Sequence, residues 1–252
     1  MLKPWELKAD DARQADSLHT FIIFCEDEVS EYHYFKWFET ALIKVNVVPK
    51  QKSMLTNINK ALTYCTKNGL MSFDGDKHTL DIDGLEVWCV YDRDAEKEGK
   101  DLEEGNSEFN LSVSAAEKND INLAWSNDAF ELWVLLHLME VDPDIEETKG
   151  RKYYYDQLTD YLRKHPNPNA DLVKALAHQT FSYKKDMKHR DNFINIVRAE
   201  ILPFTMLAIE RAKKLHYRVI HEVNHYDKRP CTLVYLLVSS LLDKGKKPIP
   251  AA

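Results

Sequence analysis

Phe21-Ile22-Ile23-Phe24-Cys25 runs directly into Glu26-Asp27-Glu28, and Val87-Trp88-Cys89-Val90-Tyr91 runs directly into Asp92-Arg93-Asp94. Each run is apolar throughout, without the polar alternation of a half-wet strand. That is the pattern of strands in a parallel sheet covered on both faces. In an open α/β sheet, ligands gather in the crevice at the carboxyl ends of the strands. Carboxylates delivered there from two strands make a hard-oxygen site suited to Mg2+ or Mn2+. The pattern therefore points to metal-assisted phosphoryl chemistry. Asp92 and Asp94 stand two residues apart, so extended backbone would project them to the same side.

The flanking sequence supports an α/β fold. Residues 20–25 read as the first strand, 29–44 as a helix, 45–49 as a short strand and 57–67 as a helix that Gly69 ends. Residues 69–84 read as a loop rich in Asp and Gly. Residues 85–91 read as a strand, and 95–106 as an acidic, glycine-interrupted segment, either a lid or a solvated loop. A helix over 107–119, a strand over 121–125 and a helix over 127–139 complete a β-α-β-α-β-α alternation, the signature of a parallel sheet. Beyond it the patterning is mainly helical, over 152–163, 169–178, 190–217 and 230–243. Pro203 should kink or split the third of these helices. The expected division is an α/β domain over 1–145 and a helical region over 146–252 that packs back on the sheet.

Composition narrows the function. The 252 residues carry only 7 glycines, and neither GxxxxGK[ST] nor GxGxxG occurs, which argues against those devices for binding ATP or dinucleotides. A formal net charge of −7 means no whole-protein basic field for nucleic acid. Any nucleic acid would have to meet a local strip such as Lys184, Lys185, Lys188 and Arg190, or Arg211, Lys213, Lys214 and Arg218; the plainer reading of both is solvated helix faces. Cys25, Cys65, Cys89 and Cys231 show no CxxC spacing, which fits a reducing cytoplasm and disfavours a zinc ribbon. The first ten residues do not read as a signal peptide, and the longest apolar stretch, residues 233–242, is too short to span a bilayer.

His221-Glu222-Val223-Asn224-His225 matches HExxH. On a helix, His221 and His225 would share one face and bind zinc, with Glu222 as base. Against that peptidase reading, Asp227-Lys228-Arg229-Pro230 ends the helix almost at once, and only Asp227 and Asp243 follow as acids. The alternative is a polar helix terminus, where histidines are favourable.

Cys25-Glu26-x-Glu28-x-x-Glu31-x-x-Tyr34-Phe35 and Tyr91-Asp92-Arg93-Asp94 resemble the opening motifs of the RloB-like proteins. Ser126-Asn127-x-x-Phe130-Glu131-Leu132-Trp133 with His137, and Pro230-x-Thr232 before an apolar last helix, extend the resemblance over about residues 20–242. It implies a Toprim-type catalytic core, a small parallel sheet flanked by helices. It implies that Glu26 is the lone catalytic glutamate and that Asp92 and Asp94 are the metal-binding pair. It further implies an AAA or ABC-type ATPase encoded nearby and a role in bacterial defence against phage, with DNA or tRNA as substrate. A homo-oligomeric state is left open. The chain departs from the family at Asp27, where glycine is usual; Asp27 is a further candidate metal ligand, and the geometry of its turn is in question. Glu131 is a candidate ligand or base. Lys184 and Lys185 are candidates for phosphate contact, His137 reads as a structural histidine, and Arg93 as a surface ion-pair partner. The alternative to a nuclease is a regulatory or binding subunit of an ATPase complex.

Overall fold

Phe21, Ile23 and Cys25 enter one hydrophobic core, and Ile22 and Phe24 enter a second on the opposite face. Burial on both sides is why this run carries no polar alternation. The computed structural model describes residues 18–94 and 100–251. In it the run is β1, His19–Phe24, followed by α1 (Ser30–Lys36), β2 (Ile43–Val48), α2 (Met54–Lys67), β3 (Met71–Phe73), β4 (His78–Leu80) and β5 (Leu85–Cys89). Then come α3 (Lys100–Lys118), β6 (Asn122–Leu123), β7 (Ser126–Asn127) and α4 (Glu131–Leu138).

The main sheet is four-stranded in the order β2-β1-β5-β6, and each of its pairings is parallel. From β1 the chain passes to β2 on one side, and later to β5 on the other. The carboxyl ends of β1 and β5 therefore flank a topological switch point, the position where open α/β sheets form a crevice. On one face α2 and α3 contribute Ile58, Ala61, Cys65, Phe109 and Val113 to the core with Ile22, Phe24 and Val87. On the other face Tyr34 and Phe35 of α1 and Leu132–Leu136 of α4 pack with Phe21 and Ile23.

The second half joins that same core. It comprises α5 (Arg151–Arg163), α6 (Ala170–Leu176) and a π-turn at Tyr183–Met187. A continuous helical rod, Arg190–Val219, follows. The rod is built of α7 (Arg190–Asn192), a π-turn (Phe193–Arg198), α8 (Ala199–Ile201), a 3-10 turn (Leu202–Phe204) and α9 (Thr205–Val219). Pro203 falls in the 3-10 turn, which tightens the rod where its missing N–H interrupts the helical ladder. By length and composition the rod is long and apolar enough to cross a bilayer. Its Phe193, Ile196, Val197, Ile201, Ala208 and Ala212 nevertheless lie in the main core. The short strand β8 (Cys231–Thr232) pairs antiparallel with β7, and α10 (Val234–Gly245) returns Leu237, Val238 and Leu241 to the Phe21 face.

Several expected boundaries move. The first helix stops at Lys36 rather than 44, because Ile43, Val45 and Val47 alternate with polar residues and pair in register with β1. Stiff β-branched side chains suit that pleat better than a helix. The expected loop 69–84 contains the β3–β4 hairpin. Of the acidic segment 95–106, residues 95–99 lie outside the described ones, and the rest is the first part of α3. The helices expected from 127 and 230 start later, at Glu131 and Val234, because the preceding residues form β7 and β8.

Glu86 ties α10 to the sheet. Its carboxylate accepts from Trp88 Nε1 at 2.8 Å and from Ser240 Oγ at 2.9 Å, and lies 2.8 Å from His19 Nε2. Replacing Glu86 by Ala strands these half-buried donors. The expected loss is about 2 kcal/mol of unfolding free energy, read from urea denaturation. A change below about 0.5 kcal/mol would show that α10 is held by apolar contacts alone.

Candidate functional site

Glu26 leaves the end of β1, and Asp92 leaves the end of β5 after Val90 and Tyr91. Val90 N–H donates to the Phe24 carbonyl at 2.8 Å, so the two strand ends stay paired up to the acids. Across the switch point, Asp92 N–H donates to Glu26 Oε1 at 3.0 Å. Ser53, just before α2, donates its hydroxyl to the Asp92 carbonyl at 2.8 Å. Asp92 Oδ1 is buried and has no hydrogen-bond partner among the described residues.

The surroundings are crowded with negative charge. Burial raises the Glu26 carboxyl from 4.5 to about 7; the neighbouring Ser53 hydroxyl and the hydrogen bond from the Asp92 amide oppose the rise, and Asp94 adds to it. Burial, and then the charge of Glu26, pushes Glu31 well above the carboxylate range. Burial pushes Asp92 up as well, reinforced by Glu31, Glu26 and Glu131. These acids raise one another because they meet in one low-dielectric pocket.

Two cations from the helical half answer this charge. Lys188 Nζ lies 2.8 Å from Glu131 Oε1, and Glu131 is buried as the first residue of α4. Burial works against the Lys188 charge, but Glu131 overrides it and holds the ammonium well above its usual range. Arg151, the first residue of α5, pairs with both Asp94 and the buried Asp128.

The candidates sort as follows. Glu26, Asp92 and Glu131 belong to the acidic pocket. Asp94 adjoins it, but not by strand alternation: β5 ends at Cys89, and Asp94 has a left-handed φ of +57°. Extended backbone therefore does not set its direction. Asp27 turns elsewhere. Its carboxylate accepts from Val29 N–H at 2.8 Å and Ser30 N–H at 3.0 Å, and Glu31 Oε2 accepts from Asp27 N–H at 2.9 Å. This reciprocal arrangement starts α1, and it takes up the carboxylate that the sequence made a candidate ligand. Asp27 is not among the positive-φ residues, so this turn does not need the usual glycine.

Lys184, Lys185 and Arg190 are exposed, whereas Lys188 is half-buried and turned inward. The Lys184 and Lys188 ammonium groups lie 5.5 and 5.7 Å from the centroid of the Tyr155 ring. In the other strip, Arg211 donates to the Leu136 carbonyl at 2.7 Å, while Lys214 and Arg218 pair with Glu140 and Asp144. Arg211, Lys214, Arg218 and Glu140 line a cleft of about 330 Å³ by the end of α4. Its charged groups already have partners, and it is not built from the switch-point acids.

Arg93 is buried rather than a surface ion-pair residue. It donates to Asn106 Oδ1 at 2.6 Å and to Asn127 Oδ1 at 3.0 Å. His137 is a core residue: its Nδ1 donates to the Trp133 carbonyl at 2.8 Å, its Nε2 accepts from Tyr34 at 3.1 Å, and burial lowers its pKa to about 3. The HExxH stretch is not helical. α9 stops at Val219, and His225 opens a 3-10 turn, so His221 and His225 do not share a helix face. That removes the geometric basis of the zinc-peptidase reading.

Sequence reasoning gave no site role to Glu31, Asp128 or Arg151. Glu31 has a local signal, an acid four residues after Asp27 in a helix rich in aromatic side chains. Arg151 has none, because its partners are distant in the chain. Among the described residues, no three His, Cys, Asp or Glu side chains already stand at ligand spacing. Asp94 is turned to Arg151, and Glu131 to Lys188. The donor set is nonetheless hard oxygen, and Asp92 Oδ1 is buried without a partner beside mutually repelling acids. A hard divalent cation fits this chemistry.

A family model described as RloB-like protein matches residues 21–241, nearly the whole chain. No curated protein matches the chain, and no solved structure does.

Proposed function

Because the chain belongs to the RloB-like protein family, we propose that it is a divalent-metal-dependent nuclease effector of bacterial anti-phage defence. It would hydrolyse phosphodiester bonds in DNA or tRNA under the control of a partner AAA or ABC-type ATPase. The observation that carries this reading is the meeting of Glu26 and Asp92 at the switch point, with Asp92 Oδ1 buried and partnerless. Asp92 and Asp94 would hold Mg2+ or Mn2+, with Glu26 completing the set. When bound, the cation supplies Lewis-acid activation of the phosphodiester.

The protein's own groups do the rest. In the cation-free pocket Glu26 is raised to about 7; with a cation bound it would return to the ionised form, the form that can take a proton from attacking water. Lys184, Lys185 and Arg190 offer exposed cations to phosphate, and Lys188 balances Glu131 inside the pocket. With a net charge of −7, the chain alone should bind nucleic acid weakly. A partner that delivers substrate, or relieves inhibition, follows from that. The reading also places the protein in the cytoplasm.

A second reading has its own support. Arg151 and Lys188 partly neutralise the acids without any added ion. This suits a regulatory subunit that keeps the fold and docks on the ATPase. Purifying the chain with and without its neighbouring ATPase, and sequencing the ends of cleaved nucleic acid, separates the two. The nuclease reading expects cleavage by the complex with Mg2+ or Mn2+, abolished by EDTA. An intact, triggered complex that leaves all nucleic acid uncut would favour the regulatory subunit.

A further inference from the structure

We propose that Arg151 is the positioning residue for Asp94, anchored for that task by Asp128; the inference rests on the cation-binding reading above. Arg151 is not a loose counterion. Its backbone N–H and its Nε donate to Asp128 Oδ2 at 3.1 and 3.2 Å. Its Nη2 donates to Asp128 Oδ1 at 2.9 Å and to the Asp128 carbonyl at 3.0 Å. Asp128 is only 2% exposed, so the pair is held against the protein interior. The same Nη2 reaches Asp94 Oδ1.

Asp94 needs such a guide. Its φ of +57° removes it from strand geometry, and its backbone N–H leans on the Asp128 carbonyl at 3.4 Å. Asp128 and Arg151 thus hold Asp94 by backbone and by side chain. With Oδ1 bound to the guanidinium, Oδ2 would be the oxygen left to Asp94 for a cation. Carboxylates that ligate metals are commonly oriented by such outer contacts. A planar guanidinium can serve Asp128 and Asp94 together; an ammonium has no such fork.

The test is Mn2+ binding by the full-length chain, followed by electron paramagnetic resonance, with circular dichroism to check folding. Arg151→Ala should weaken Mn2+ about 10- to 100-fold. Added guanidinium ion should recover part of that loss. Arg151→Lys, which keeps the charge, should also weaken binding. In an Asp94→Asn background, Arg151→Ala should have no further effect on Mn2+ affinity. Unchanged or tighter binding in Arg151→Ala would overturn the proposal, tighter binding marking Arg151 as a competitor for Asp94. If Arg151→Ala does not fold, wild-type affinity in Arg151→Lys overturns it equally. Wild-type protein that takes up no Mn2+, or Asp92→Asn that binds as well as wild type, sinks the cation-binding reading and this inference with it. Wild-type uptake lost in Asp92→Asn but intact in both Arg151 variants sinks only the role of Arg151.

Discussion

Glu26→Gln should lower cleavage by the ATPase complex about 10²- to 10⁴-fold, the range lost when a positioned acid–base group is removed. The amide keeps the side-chain length and an oxygen that can still accept from the Asp92 N–H, so complex assembly and folding should persist. What it loses is a carboxylate able to take a proton and a charge in the acidic pocket. Asp92→Asn should abolish cleavage to a similar degree by a different route, since it removes the carboxylate whose Oδ1 is buried without a partner. The two defects should separate in Mn2+ binding: Asp92→Asn loses most of it, Glu26→Gln less. Full defence and full cleavage in both variants, with the complex intact, would leave only the regulatory reading.

Glu26 should make the cation-free protein lose stability relative to Glu26→Gln as pH rises between about 4.5 and 7; the comparison with the variant isolates it, because buried His137, lowered from 6.5 to about 3, contributes the opposite slope. Glu26 has its folded pKa raised from 4.5 to about 7, chiefly by burial. Through that window the unfolded chain has released the proton while the folded one still holds it. The folded state then binds more protons, so unfolding free energy falls with rising pH. Its contribution is fully present below about 4.5 and lost as pH passes 7. One proton sets a slope of at most about 1.4 kcal/mol per pH unit. Glu31 and Asp92 are raised in the same direction and reinforce it. Urea denaturation of both proteins at pH 5, 6, 7 and 8 reads the difference, and wild type should fall relative to Glu26→Gln as pH rises. Saturating Mn2+ should restore stability at pH 8 more than at pH 5, because the cation favours ionised carboxylates. A pH dependence in EDTA that is the same in wild type and Glu26→Gln would contradict the crowded-acid account.

Much of the sheet was legible because its signals are local. The apolar run of β1 needed no distant information, since a strand buried on both faces admits no polar position. The acids after it were legible as strand-end residues for the same reason. The limits were just as physical. Ile43 and Lys44 read as the end of a helix until pairing with β1 drew them into the strand that 45–49 already suggested. Asp94 looked like a continuation of strand alternation until its left-handed backbone removed that logic. Asp27 looked like a spare carboxylate until its oxygens proved to hold the start of α1. HExxH could not act as a helical motif because α9 stops short of it.

The order of residues alone determined a parallel α/β sheet and delivered Glu26 and Asp92 to its carboxyl edge, because strand length, burial pattern and the position of the following acid are properties of neighbouring residues. The tertiary structure alone decided which charges those acids face. Arg151 reaches Asp94 across 57 positions in the chain, and Lys188 reaches Glu131 only because the helical half folds onto the sheet. Coulombic partners in a low-dielectric pocket are chosen by distance in space, and no local pattern encodes that distance.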